Sequence, residues 1–127
     1  MEDATSKGSA GHAPTPGPGV IGYEEFAKVE MKVGIVQSVE KVQGADKLLR
    51  MTVDTGDPEP RTIVAGIAQA YPDPQTLTGK RIVVVTNLVP RVLRGITSRG
   101  MLLAAGDPPN LSVVTVGENI RPGTQVR

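Results

Sequence analysis

The run VEMKVGIVQSV, residues 29–39, changes phase part of the way along. Val29, Met31, Val33 and Ile35 alternate with Glu30, Lys32 and Gly34, the period-two pattern of a half-buried strand. Past Gly34 the apolar positions move to Val36 and Val39. An extended segment that switches its apolar face must bend or bulge, and a glycine just before the switch predicts that this happens at Gly34. A long first strand with such a bend can serve both sheets of a small barrel.

The pattern on either side of this strand agrees. LLRMTVDT, residues 48–55, sets Leu49, Met51 and Val53 on one face and Arg50 and Thr52 on the other. GDPEP forms a turn, and RTIVAGIA (61–68) reads as a third strand. YPDPQTLTGK is a Pro-rich connection with room for one helical turn at DPQTL. RIVVVT (81–86) is a fourth strand, apolar on both faces; NLVPRVLRG is a connection; RGMLLAA (99–105) is a fifth strand. GDPPN turns the chain into LSVVTV, and GENIRPGTQVR ends in a short extended piece. Upstream, YEEFAK (23–28) can form a short helix, with Glu24 and Glu25 in the first turn where the helix dipole favours them. Short strands at regular spacing, divided by Gly/Pro turns, predict an all-β domain. The bent first strand and the small size favour a five-stranded OB-fold barrel with short helical turns and a C-terminal extension over an SH3-like barrel or small sandwich.

A length of 127 residues allows one core. With no Trp and one Phe that core must be aliphatic. Residues 1–22 stand apart: GSAGHAPTPGPGVIG carries too little apolar surface to offset the entropy of ordering. They are expected to form a Gly/Pro-rich flexible tail, leaving 23–127 as the folded domain. His12, the only histidine, falls in that tail. The absence of Cys excludes disulfides, thiolate metal sites and cysteine nucleophiles, and fits a reducing cytoplasm. No apolar run approaches the roughly 20 residues that span a bilayer. No P-loop motif is present, and the scattered Ser and Asp residues lack a base to make a triad. No catalytic group, metal or cofactor is expected.

Charge singles out one segment. Gln75 to Gly106 contains no acid, although acids make up about a tenth of the chain, and it holds Lys80, Arg81, Arg91, Arg94 and Arg99. The segment therefore carries +5 within a chain of net charge +1. A near-neutral protein with one basic segment between apolar strands suggests a local anion-binding face.

Several motifs resemble the tRNA-binding domain found at the C-terminus, or as the separate beta chain, of methionyl-tRNA synthetases and in freestanding tRNA-binding proteins. They are EEFAKVEMKVGIV, GADKLLRMTVDTG, RTIVAGIA, the long IVVVTNLVPRVLRGITSRGMLLAA and the closing GTQVR; the resemblance covers Tyr23 to Arg127. The chain departs from the family's pattern at Val42 and Gln43, where His-Pro is usual. Val89 and Val92 replace common lysines, and Arg99 stands where Glu or Gln is usual.

The candidate RNA contacts follow from residue chemistry and from this resemblance. Arg91 and Arg94 suit phosphate because a guanidinium gives bidentate, permanently charged hydrogen bonds; the alternative is a solvated loop. Asn87 is either a polar contact to tRNA or a turn cap. Ser98 could meet sugar or phosphate, and Arg99 phosphate or a stacked base. Met101 is either support for a base or part of the core. Lys32 and Arg50 lie on polar strand phases and could extend the positive face; Arg61 is a weaker candidate. The shortage of aromatics argues against strong sequence-specific single-strand binding and favours recognition by backbone and shape. The resemblance implies a non-catalytic module that binds folded tRNA near its outer corner, as a homodimer, with a methionyl-tRNA synthetase catalytic chain as a further partner. It would be an enzyme only by association with that ligase. The rival expectation is a chaperone-like peptide-binding protein from the secretion branch of the same family.

Overall fold

The computed structural model describes residues 17–127. Most of the expected flexible tail, including His12, lies outside the described residues. A four-residue helix α1 (Tyr23–Phe26) leads in, and the Glu25 carboxylate accepts a hydrogen bond from the Gly22 N–H, 3.3 Å away. Ten strands follow: β1 (Met31–Val42), β2 (Ala45–Asp54), β3 (Arg61–Ala65), β4 (Arg81–Val85), β5 (Arg91–Leu93), β6 (Ile96–Ser98), β7 (Met101–Leu102), β8 (Ala104–Asp107), β9 (Asn110–Val113) and β10 (Gln125–Val126). The helical turn expected at DPQTL is a 3₁₀ turn, Pro74–Leu77, capped by the Asp73 side chain.

The protein is all-β, as expected. β1 organises it. Its first half, Met31–Ile35, pairs with β4, and its second half, Ile35–Val42, pairs with β2. Beside Met31 and Lys32, the flank that β2 leaves open is taken by β10. One long strand thus serves two directions of pairing. The pairing with β2 is irregular between Val36 and Ser38 and again between Lys41 and Val42, not at Gly34. Gly34 has a different function: a Cβ there would sit 2.5 Å from Val53 Cγ1. Glycine is needed because β1 and β2 cross closely, and the extra residue of the bulge is Gln37.

The main sheet runs β3-β2-β1-β4-β7, with β5–β6 and β8–β9 as separate two-stranded units. Among the described residues no ladder joins β3 to β7, so the sheet is OB-like but does not close into a continuous barrel. Two hydrogen bonds span the seam instead: Arg99 N–H to the Thr62 carbonyl (2.8 Å), and Val64 N–H to Ser98 Oγ (3.0 Å). Arg61 reinforces them. Its guanidinium donates to the carbonyls of Thr86 (3.0 Å) and Arg99 (3.1 Å) and to Asp57 Oδ2 (2.9 Å).

The core is aliphatic. Val36, Leu49, Met51, Val53, Ile63, Leu77, Ile82 and Val84 form its centre, and the one Phe lies partly exposed on α1. LSVVTV turns its apolar phase inward, since Val113 is buried in the core and Leu111 packs against it. The expected fifth strand RGMLLAA is split. Met101 and Leu102 pair with β4, and the chain then departs at Leu103 to form the β8–β9 hairpin.

Candidate nucleic-acid interface

NLVPRVLRG, read from sequence as a connection, contains structure of its own. Arg91 pairs with Ser98, Val92 with Thr97 and Leu93 with Ile96, leaving a two-residue turn at Arg94 and Gly95. Both turn residues have positive φ, 52° and 78°. This is the geometry of a type I′ turn, whose twist matches that of paired strands. Glycine accepts such a φ freely; an arginine does so at a cost of order 1 kcal/mol. The signal was present in the sequence as an X-Gly pair flanked by apolar residues, but Arg-Gly is a rarer form than Asn-Gly or Asp-Gly.

Two clefts flank this hairpin. One, of about 370 Å³, is lined by Arg50, Pro60, Thr62, Gly95, Ile96, Thr97 and Arg99. The other, of about 550 Å³, is mainly apolar and has Arg91 and Met101 among its walls. Neither contains an acidic residue. The structure therefore brings Arg50, Arg91, Arg94, Arg99 and Met101 around one hairpin, with Met101 about half exposed at 48%.

The remaining candidates are placed differently. Ser98 is only 4% exposed. Its hydroxyl accepts from Val64 N–H and donates to the Gly100 carbonyl, 3.2 Å away. It pins the seam, and a contact to sugar or phosphate would need those bonds broken. The Asn87 amide bridges back to the chain before β1: Oδ1 accepts from Glu30 N–H (2.8 Å), and Nδ2 donates to the Lys28 carbonyl (2.6 Å). Such an arrangement is close to the turn-cap alternative. Lys32 lies on β1 with Nζ 3.9 Å from Glu30 Oε1, away from either cleft.

The basic segment is not one face. Arg81 donates through Nε to the Ile120 carbonyl, 2.6 Å away. With Lys80 it occupies the opposite end of β4 from the hairpin, roughly 13 Å along the strand. The hairpin arginines combine grouping at one turn with a lack of local neutralisation. The ion pairs of the described residues engage Lys32 with Glu30, Arg50 with Glu40 at 3.7 Å, and Arg61 with Asp57. None of them involves Arg91, Arg94 or Arg99. The Asp57 carboxyl is held below the usual carboxylate range, first by the Thr55 hydroxyl that donates to it (2.7 Å) and then by Arg61.

Among the described residues no group of three or more His, Asp or Glu side chains could hold a metal ion, and no helix is long and apolar enough to cross a membrane.

The family model described as "Putative tRNA binding domain" matches residues 31–125. A methionine–tRNA ligase of Myxococcus xanthus is 54% identical over 108 residues, covering 84% of this chain and 15% of the ligase. That of Lactiplantibacillus plantarum is 45% identical over 106 residues, covering 84% and 16%. The chain thus spans about 15% of the length of the curated relatives it matches. Among solved structures, a MetRS-related protein from Pyrococcus horikoshii superposes with a TM-score of 0.79 at 38% identity, over 85% of this chain and 98% of that one. The chaperone CsaA of Bacillus anthracis superposes with a TM-score of 0.76 over 85% and 99%, but at 22% identity this likeness concerns the fold alone.

Proposed function

The chain belongs to the tRNA-binding domain family, and on that premise we propose that it binds folded tRNA, without catalysis of its own, through the β5–β6 hairpin and its flanking clefts. One observation carries this reading: three arginines crowd the hairpin and no ion pair of the described residues neutralises them. An uncompensated guanidinium cluster on an exposed turn is suited to phosphate. Arg50 and Arg99 share the more polar cleft, so a backbone crossing the tip would meet Arg94, Arg99 and Arg50 in turn. Recognition is by backbone path and shape, since the positive groups contact phosphate whatever the base sequence.

The physiological task is recruitment of tRNA to a methionyl-tRNA synthetase in the cytoplasm. A modest binding module joined to an enzyme makes the second encounter effectively intramolecular. The identity to methionine–tRNA ligases supports this partner. A second copy of the chain is proposed as a further partner, supported by apolar side chains left exposed on the N-terminal side, among them Val20, Ile21 and Tyr23.

Fluorescence anisotropy with folded tRNA, across a salt series, tests the reading. Four cationic contacts predict a slope of log K against log salt of roughly −3 to −4. Arg91→Ala combined with Arg94→Ala should remove most of the affinity and flatten the slope by about 2, while the fold is retained. Equal affinity for unstructured RNA, or an unchanged slope in a folded double variant, refutes it.

A further inference from the structure

The larger cleft has a feature that phosphate binding does not use. It opens where the β3–β7 seam stops. In β3, residues 62 and 64 point away from β2, because alternate residues of an antiparallel strand face opposite partners. The Thr62 carbonyl is taken by Arg99 N–H and the Val64 N–H by Ser98 Oγ. The Val64 carbonyl faces the same way, and no ladder continues past it. Val64, Leu93, Met101 and Leu102 line the cleft at this point, with Arg91 as its one charged wall residue.

From this juxtaposition we infer that the cleft receives one unstacked nucleobase of the bound RNA. The base lies against Met101 and the aliphatic walls, its hydrogen-bonding edge meets the Val64 carbonyl, and its phosphate meets Arg91. The inference rests on the reading of the chain as a tRNA-binding module and adds a chemical class to one subsite. Three observations select a single planar group over an extended peptide. A strand-adding peptide needs a run of free edge positions, and at the cleft β3 offers the Val64 carbonyl alone, since the Thr62 carbonyl and the Val64 N–H are already engaged. The strand ends at Ala65, so no further edge follows. The charged wall residue is a cation with no acid in the cleft, which matches the phosphate of a nucleotide. A thioether is polarizable and packs well on a π-face, so Met101 can replace the aromatic platform that this chain lacks. A donor on the base, such as an exocyclic amino group, is what a lone carbonyl can read. The subsite therefore prefers the exocyclic amino groups of adenine, cytosine or guanine to uracil, whose one donor on that edge, N3–H, sits between two carbonyls that face the Val64 carbonyl unfavourably.

The test uses the full chain and two readouts. Ala104 is exposed on the cleft wall and Ala105 lies on the opposite phase of β8, outside it. Ala104→Phe should fill the cleft and weaken folded-tRNA binding about tenfold with an unchanged salt slope, as expected for loss of one stacked base. Ala105→Phe should bind as wild type, and Met101→Ala should lose affinity in the same direction as Ala104→Phe. In the ¹⁵N-labelled wild-type chain, AMP, CMP, GMP and UMP at millimolar concentration should shift the amides of Val64, Gly66 and Leu102 to Ala104, with UMP weakest. Wild-type tRNA affinity in both Ala104→Phe and Met101→Ala overturns the inference while leaving the hairpin reading standing. Absence of shifts at those amides with every nucleotide also overturns it and leaves the cleft to an apolar peptide. Failure of the wild-type chain to bind folded tRNA overturns both readings together.

Discussion

Gly34→Ala should destabilise the protein by about 2 kcal/mol, although alanine is usually the better strand residue. The added Cβ would lie 2.5 Å from Val53 Cγ1 and 3.2 Å from both Thr55 Cγ2 and Val84 Cγ2. Val53 and Val84 are fully buried, at 0% exposure, and Thr55 is 1% exposed. None can move without displacing another core side chain, and a branched valine has no flexible end to fold away. Overpacking of this kind costs about 1–3 kcal/mol, and a contact this short belongs near the upper end. The reduced freedom of the unfolded chain returns roughly 0.5–1 kcal/mol. The net figure corresponds to a fall in Tm of about 8 °C for a domain of this size. Urea denaturation and thermal scans measure it directly. A double-mutant cycle identifies the cause. Val53→Ala alone leaves a cavity and costs about 2–3 kcal/mol. If the steric contact is responsible, Gly34→Ala/Val53→Ala should cost less than the sum of the single changes by about 1–2 kcal/mol. Strict additivity, or a Gly34→Ala protein as stable as wild type, refutes the reasoning about close strand crossing.

Ser98→Ala should lower stability by about 1–2 kcal/mol, because it leaves the Val64 N–H without its partner in a buried position; a change below about 0.3 kcal/mol on denaturation would show that the seam does not depend on this hydroxyl. Acid should loosen the same region. The Asp57 carboxyl has its folded-state pKa below the ordinary value of 3.8, owing to the Thr55 hydroxyl and then Arg61. Its contribution is therefore complete above that value and is lost as pH falls through the lower, folded-state pKa. The stability difference between wild type and Asp57→Asn should be constant near neutrality and shrink below pH 3.8. A difference that persists unchanged to the acid limit of the folded state contradicts this assignment.

How much of this was legible beforehand depended on the distance between partners. The phase change around Gly34 is a local pattern, and it announced a strand shared between two pairings. It misplaced the bulge because the need for glycine comes from Val53, on another strand. The terminal extended piece and the Pro74–Leu77 turn were likewise written in adjacent residues. Asn87 and Ser98 were not. Their types suit RNA contact, but the partners that engage them, Lys28, Glu30 and Val64, lie 59, 57 and 34 residues away. Charge counting found Arg91, Arg94 and Arg99 and included Arg81, whose guanidinium is held by the Ile120 carbonyl. The β5–β6 hairpin was missed because arginine at positive φ is a conformation that propensity argues against.

That turn also bears on how fast a ligand is captured. A hairpin closed by only two residues has little backbone freedom left to surrender, so in the proposed role Arg94 is carried at a fixed point of the fold and only its side chain has to adjust. Encounter with a polyanion then requires no loop rearrangement beforehand. Association should approach the electrostatically steered regime, and differences among ligands should appear in how long each complex lasts.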